Sequence, residues 1–228
     1  MTDDAKSRIL DAAMMHVPFD GWSAATLAAA ARDADVDPAR AKALFPRGAL
    51  DLALAFHRAG DAAMLERLRE TDMSHLKFRE KVARAVRFRL EAVDDKEVVR
   101  RGTTFFSLPQ HAAEGARAIW ETADHIWTAL GDTSDDINWY SKRATLSGVY
   151  ASTVLYWLGD DSIDDKATWA FLDRRIENVM QFEKAKAAIN DNPLLRGLMI
   201  GPNWLASKVR APSRAPRADM PGSWRGRG

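Results

Sequence analysis

Residues 136–158 read DINWYSKRATLSGVYASTVLYWL, and the spacing of their apolar side chains is that of an α-helix. From Trp139, the positions Arg143, Leu146, Tyr150, Thr153 and Trp157 follow at three- and four-residue steps, and Tyr140, Ala144, Ala151, Leu155 and Leu158 form a second row. Both rows fit one helix. Much of that surface can be core, yet Trp139, Tyr140, Lys142 and Arg143 gather in its first turns, just after Asp135 and Asp136 mark a start. Aromatics beside cations resemble an interaction hot spot. A second reading stays open, in which Trp139 is a core aromatic and the two cations are solvated.

Outward from this stretch, almost every segment reads the same way. Ala, Leu, Arg and Glu are abundant, β-branched alternation is scarce, and the breaks carry Asp, Gly or Pro, so the chain is expected to be all-α. Its 228 residues, 46% hydrophobic and 29% charged, suffice for a full core. A net charge of +1 from 33 basic and 32 acidic residues excludes a general polyanion binder and leaves only local electrostatic functions. The absence of cysteine excludes disulfides, thiolate catalysis and cysteine-ligated zinc. The start, MTDDAKSRIL, carries acids where a targeting peptide would be basic, and no apolar run is long enough to span a bilayer, which reads as cytoplasmic.

In chain order, a first helix is expected from about Asp3 to Val17, ended by the Pro18–Gly21 stretch, with Ser23 as the next cap. A short alanine-rich helix through Leu27, Ala30 and Ala31 follows, then another opened by Asp37 and Pro38 and running to Leu44. This spacing, followed by Phe45-Pro-Arg-Gly-Ala-Leu50 and a long helix, resembles the helix-turn-helix head of TetR-type regulators over the first quarter of the chain. Such a head reads DNA with its third helix, here Asp37–Leu44, whose cations are Arg40 and Lys42 and whose alanines cannot hydrogen-bond to bases. Residues 1–70 hold nine bases and eleven acids, a net charge of −2, opposite in sign to what phosphate binding requires. The shape suggests DNA and the charge argues against it.

Phe78, Val82, Val86 and Leu90 recur through a helix whose Lys77, Arg79, Lys81, Arg84, Arg87 and Arg89 read as a solvated basic face. Helices through Phe105 and Phe106, from about Gln110 to Leu130, and from about Asp165 to Ala188 complete a body rich in tryptophan and phenylalanine. Two packings remain open for these aromatics: a cavity between helices or a filled core. His111 with Glu114 and Glu121 with His125 can each share a helix face, but a bundle di-iron site needs repeated Glu-x-x-His elements and further helix-borne glutamates that this sequence lacks. No metal or other cofactor is therefore expected. His16 and His57 stand alone and His75 lies at a break, so none reads as a catalytic base, and no Ser/His/Asp or phosphate-loop pattern is present.

Beyond Ala188, Leu194, Leu195, Leu198, Met199, Ile200, Trp204, Leu205 and Val209 make an amphipathic segment with Lys208 and Arg210 and a kink expected at Pro202. From Glu183 onward nine bases face three acids, +6 in net charge, which suits an anionic membrane surface; a helix docked on the body is the other reading. The expected organisation is a head over 1–48, a body over 49–190, an amphipathic helix over 191–210 and a disordered basic tail over 211–228.

Taken together, PFDGWS (18–23), AARDADVDPARAKALFPRGALDLA (30–53), INWYSKRATL (137–146), TVLYWLGD (153–160) and TWAFLDRRIENV (168–179) resemble the accessory lipid-binding protein family of ubiquinone biosynthesis, the ninth coenzyme Q protein in yeast nomenclature. The resemblance runs to about Val209. It implies a homodimer of TetR-like fold that has lost DNA binding and is not itself an enzyme. It also implies an isoprenoid lipid or ubiquinone intermediate in the body cavity, for which Phe105, Phe106, Trp120, Trp127, Leu146, Tyr150, Trp157, Trp169, Ile176 and Met180 are the candidate contacts. Asn138, Trp139, Tyr140 and Arg143, with the neighbouring Lys142, fall on the patch that such proteins offer to the di-iron demethoxyubiquinone hydroxylase, and Leu194–Val209 fall on a membrane-binding helix. A Trp139→Lys variant is accordingly expected to keep its fold and lose the partner. A TetR-type regulator with a lipophilic effector is the competing function.

Overall fold

The computed structural model describes residues 2–191 and Ala211, with side chains described over 4–179 and at Gln181 and Ala211. Among these residues the fold is all-α, as the sequence leads one to expect. The helices are α1 (Thr2–Ala13), α2 (Val17–Asp20), α3 (Ala24–Asp33), α4 (Pro38–Leu44), α5 (Ala49–Glu70), α6 (Phe78–Glu91), α7 (Lys96–Ser107), α8 (Ala112–Ala129), α9 (Ile137–Leu158) and α10 (Lys166–Asp191). The first helix stops at Ala13 rather than at Val17, and Val17–Asp20 form a separate turn. Pro18 enforces this, because its ring has no N–H to donate and would clash with the carbonyl four residues back.

Local chemistry sets the other boundaries. Ser23 caps α3 by accepting from the Thr26 N–H (3.1 Å), while the buried Thr26 hydroxyl donates to the Gly21 carbonyl (2.6 Å). Asp37 caps α4 through the N–H groups of Ala39 and Arg40, with Pro38 in the first turn. Gly48, at φ +62°, makes the sharp turn into α5. Asp136 accepts from the Asn138 N–H (2.9 Å) and starts α9 where the sequence places it. At the far end of α9, Asp160 accepts from both the N–H (2.7 Å) and the hydroxyl (2.6 Å) of the buried Thr168, so the quoted LGD and TW motifs are two halves of one α9–α10 joint.

Two cores result. Ile9, Val17, Trp22, Ala30 and Phe45 form the head core together with Leu52 of α5 and Val98 of α7. Met64, Val86, Phe88, Ile126, Leu146, Tyr150, Trp157 and Leu172 form the body core, in which α9 lies between α8 and α10 and α5 packs on α6 and α8. Because α5 and α7 serve both cores, the head is not a detached module; it is anchored by the same helices that wall the body.

Candidate functional site

Helices α5 to α9 enclose an apolar cavity of about 360 Å³, within the roughly 300–1,000 Å³ typical of small-molecule sites. Of the two packings open from the sequence, a cavity and a filled core, the structure has the cavity. Phe56, Leu90, Val99, Ile119 and Val154 wall it with Trp22 of the head. The α7–α8 wall closes tightly because α8 carries Gly115 there: a Cβ at that position would lie 2.8 Å from the Phe106 Cβ.

Of the ten residues nominated from the sequence, Phe106, Tyr150 and Trp157 line this cavity. Trp127, Leu146 and Ile176 instead line a second, smaller hollow of about 230 Å³ between α6, α8, α9 and α10. Phe105 turns toward the head core and stacks on His111 (4.2 Å). Trp120 joins Trp139 and Tyr140 at the start of α9. Trp169 lies under the Arg87 guanidinium (4.7 Å) and donates its Nε1–H to the Asp164 carbonyl. Helical spacing puts all of these on inward rows without saying which side of each helix the void lies on. The Met180 side chain lies outside the described residues.

One wall of the cavity is polar. The buried Asp61 carboxylate (2% exposed) accepts from Arg89 Nε (2.7 Å), from the Thr122 hydroxyl (2.9 Å) and from His125 Nδ1 (3.1 Å). Arg89 (4% exposed) also donates through Nη2 to the His57 carbonyl (3.0 Å), and Arg89 and His57 are both among the residues that line the cavity. Burial, reinforced by the adjacent Arg89 charge, pushes His57 down to about 4, so the ring is neutral. It then donates from Nε2 to the Ala118 carbonyl (3.1 Å). Burial alone would raise Asp61, yet the hydrogen bond from His125 and the charges beside it hold it below the usual carboxylate range.

This network corrects the reading of α6 as a wholly solvated basic face. Arg89 lies three residues beyond Val86 and seven beyond Val82, on the apolar stripe, and that register, with His57 and Asp61 four apart on α5, was the available signal. His57, which stands alone in the sequence, belongs to the same cluster. His111 stacks on Phe105 while its buried Nδ1 has no hydrogen-bond partner among the described residues, and Glu114 lies 3.7 Å from Arg47.

At the start of α9 the two readings of the aromatic and basic cluster divide between its members. Asn138 is exposed and Tyr140 half-buried, but Trp139 (9% exposed) is packed among Trp120, Tyr140 and Arg143. Arg143 is fully enclosed (0% exposed): Nε donates to Asp124 (2.6 Å), Nη1 to Asp132 (2.9 Å) and to the Trp139 carbonyl (3.1 Å). Lys142 binds the other Asp132 oxygen (2.7 Å) and the Ser134 hydroxyl (2.6 Å). Burial would raise Asp132, but these donors outweigh it and hold the carboxyl well below its ordinary range. The place of Arg143 on an exposed patch is thus corrected, because its charge is spent clamping the α8–α9 loop. The Trp139 ring packs on the same guanidinium, 4.1 Å from its centre, so Trp139 belongs to this clamp as well as to the surface beside it.

In the head, Arg40 and Lys42 are exposed on α4, and Asp33, Asp35 and Asp37 are exposed beside them. Leu194, Leu195, Leu198, Met199, Ile200, Trp204, Leu205, Lys208, Val209 and Arg210 lie outside the described residues, as does the tail after Ala211. Ala211 itself donates its N–H to the Asp135 carbonyl (2.8 Å), which brings the chain back beside the start of α9. Among the described residues no helix is long and apolar enough to cross a membrane, and none of their His, Asp and Glu side chains form a group of three or more able to hold a metal.

Comparison with known proteins places this geometry in a lineage. The fold resembles a TetR transcriptional regulator from Nitrosomonas europaea, with a TM-score of 0.59 and 18% identity over 75% of this chain and 95% of that one. Residues 2–32 match the N-terminal domain of ubiquinone biosynthesis protein COQ9, and residues 112–183 match the COQ9 domain. The mitochondrial ubiquinone biosynthesis protein COQ9-B of Xenopus laevis is 31% identical over 86% of this chain and 70% of its own length. Its counterpart in Xenopus tropicalis is also 31% identical, and the human protein 27%. The chain spans about 65% of the length of the Xenopus tropicalis relative. On these matches, which cover both the head and the aromatic body, the chain belongs to the COQ9 family of ubiquinone biosynthesis proteins.

Proposed function

We propose that this chain is a lipid-binding accessory protein of ubiquinone biosynthesis: it takes an isoprenoid quinone intermediate from the membrane into the α5–α9 cavity and presents it to the di-iron demethoxyubiquinone hydroxylase. The observation that carries this reading is an apolar, aromatic-walled cavity in a chain of this family. Its driving force is partition, since covering an isoprenoid tail removes apolar area from water at roughly 25 cal/mol per Å². Asn138 and Tyr140 are the members of the hydroxylase patch that a partner can reach directly, with Trp139, Lys142 and Arg143 holding the surface in shape. Residues 194–210 supply contact with an anionic membrane surface. The protein works as a homodimer on the cytoplasmic side of the inner membrane and catalyses no reaction itself.

Native mass spectrometry of the purified full chain, with organic extraction of what co-purifies, tests the reading. Bound isoprenoid quinone at near-stoichiometric occupancy is expected. A protein that stays empty after incubation with quinone-containing vesicles would refute lipid carriage.

The likeness to a TetR regulator favours a second reading, a transcription regulator with a lipophilic effector. Against it stand the acidic flank of α4 and the net charge of −2 over residues 1–70. Salt-dependent, sequence-selective duplex binding would establish it, and none is expected.

A further inference from the structure

The cavity is not uniformly apolar, and its polarity has a direction. Ser107, Ala112, Ala116 and Leu155, the last 60% exposed, mark its mouth at the α7–α8 turn. Along α8, Ala118, which receives the His57 hydrogen bond, lies six residues beyond Ala112, about 9 Å further in at the helical rise. Arg89 and His57 therefore form a polar pole at the inner end, and Tyr150 stands over the guanidinium at 6.0 Å.

The pole has unused donor capacity. Arg89 spends Nε on Asp61 and Nη2 on His57, while Nη1 has no hydrogen-bond partner among the described residues. It is also closely held: a Cβ on Gly60 would lie 2.4 Å from Nη1, so the glycine is what lets the guanidinium lie flat on α5. Its charge is already met. One carboxylate and one guanidinium cancel inside the wall, and His125, which Asp61 holds toward its charged form, is 41% exposed and does not line the cavity, so its charge is met by solvent. An anionic head group would bring an uncompensated charge into a low-dielectric site, whereas a neutral acceptor oxygen would gain a charge-assisted hydrogen bond.

We propose that the Arg89–His57 pole is a head-group subsite for a neutral oxygenated ring, a quinone or phenol, which enters first and leaves its prenyl tail running out past Ala112 and Leu155. This deepens the lipid-carrier reading and rests on it. The same pole disfavours phospholipids, whose phosphate would be the uncompensated anion.

Calorimetric titration of the full-length protein tests this with three probes: a dimethoxy-methyl-benzoquinone bearing two isoprene units, geraniol as the same tail without the ring, and dihexanoyl phosphatidylglycerol. In the Asp61→Asn/Arg89→Met double variant, which removes both charges together, quinone affinity should fall at least tenfold while geraniol affinity changes less than threefold. Gly60→Ala, which keeps every charge but displaces the guanidinium, should act in the same direction, and it decides the matter if the double variant does not fold. Quinone and geraniol affinities that move together, or do not move, would overturn the subsite and leave the cavity as a lipid site. Phosphatidylglycerol binding as tightly as the quinone would overturn the preference for a neutral head. If none of the three probes binds the unmodified protein, the carrier reading fails and the subsite with it.

Discussion

Replacing Arg143 with methionine separates a surface role from a structural one. The guanidinium is fully enclosed, with Asp124 at 2.6 Å and Asp132 at 2.9 Å, and it lies 4.1 Å from the centre of the Trp139 ring. Methionine fills a similar volume but leaves the Asp132 carboxylate, itself almost wholly covered, with only Lys142 and Ser134. Breaking a buried ion pair by removing one partner costs about 3–5 kcal/mol. In a domain of this size each kcal/mol lowers Tm by roughly 2–4 °C, so a fall of about 6–20 °C is expected. An exposed cation that only met a partner would change stability by no more than about 0.5 kcal/mol. Thermal denaturation followed by far-ultraviolet circular dichroism, alongside hydroxylase binding at a temperature where the variant is folded, distinguishes the two. Because Arg143 and Asp132 act as one unit, the Arg143→Met/Asp132→Asn double variant should be less damaged than the two single losses added together. A Tm within about 2 °C of the unmodified protein, with hydroxylase affinity lost, would refute the clamp.

Tyr140→Ala, at the reachable part of the same surface, should cost about 1 kcal/mol or less and weaken hydroxylase binding in a pull-down; unchanged binding would remove Tyr140 from the contact. His57 is held neutral in the fold at about 4 against 6.5 when free, so the unfolded chain takes up the extra proton between these values. Its contribution is complete above about pH 6.5 and falls away as the pH drops toward 4, by about 3 kcal/mol at most. The lowered Asp61 carboxyl acts in the same direction at still lower pH. His57→Asn should therefore flatten the dependence of urea midpoint on pH over that window, and an unaltered slope would count against a buried neutral ring. Deleting residues 193–228 should reduce co-sedimentation with anionic liposomes, and full retention would remove that segment from membrane contact. Gly115→Ala should lower Tm by several degrees, since its Cβ meets the Phe106 Cβ at 2.8 Å, and an increase would show that the α7–α8 wall is looser than this geometry.

The helical class, the body helices and the α9 start were legible because they depend on near neighbours along the chain. Three- and four-residue spacing, Asp136 and Ser23 as caps, and Pro38 in a first turn act over a single turn of helix. The family resemblance was legible for the same reason, being carried by short motifs. Tertiary structure decided what lies across each helix. Arg89 and Arg143 are both arginines on partly apolar helices, and each is buried because a carboxylate from another segment, Asp61 on α5 for one and Asp124 and Asp132 on and after α8 for the other, lies within 3 Å. Those carboxylates are 28, 19 and 11 residues away in sequence, beyond the reach of helical periodicity. The cavity is likewise a property of how five helices are spaced: Phe106, Tyr150 and Trp157 face a void while Trp120 and Trp169 face protein, and the same aromatic residue at the same helical spacing serves either end. Periodicity sets the inward side of each helix, and only the packing of its neighbours sets whether that side meets a side chain, a charge or empty space.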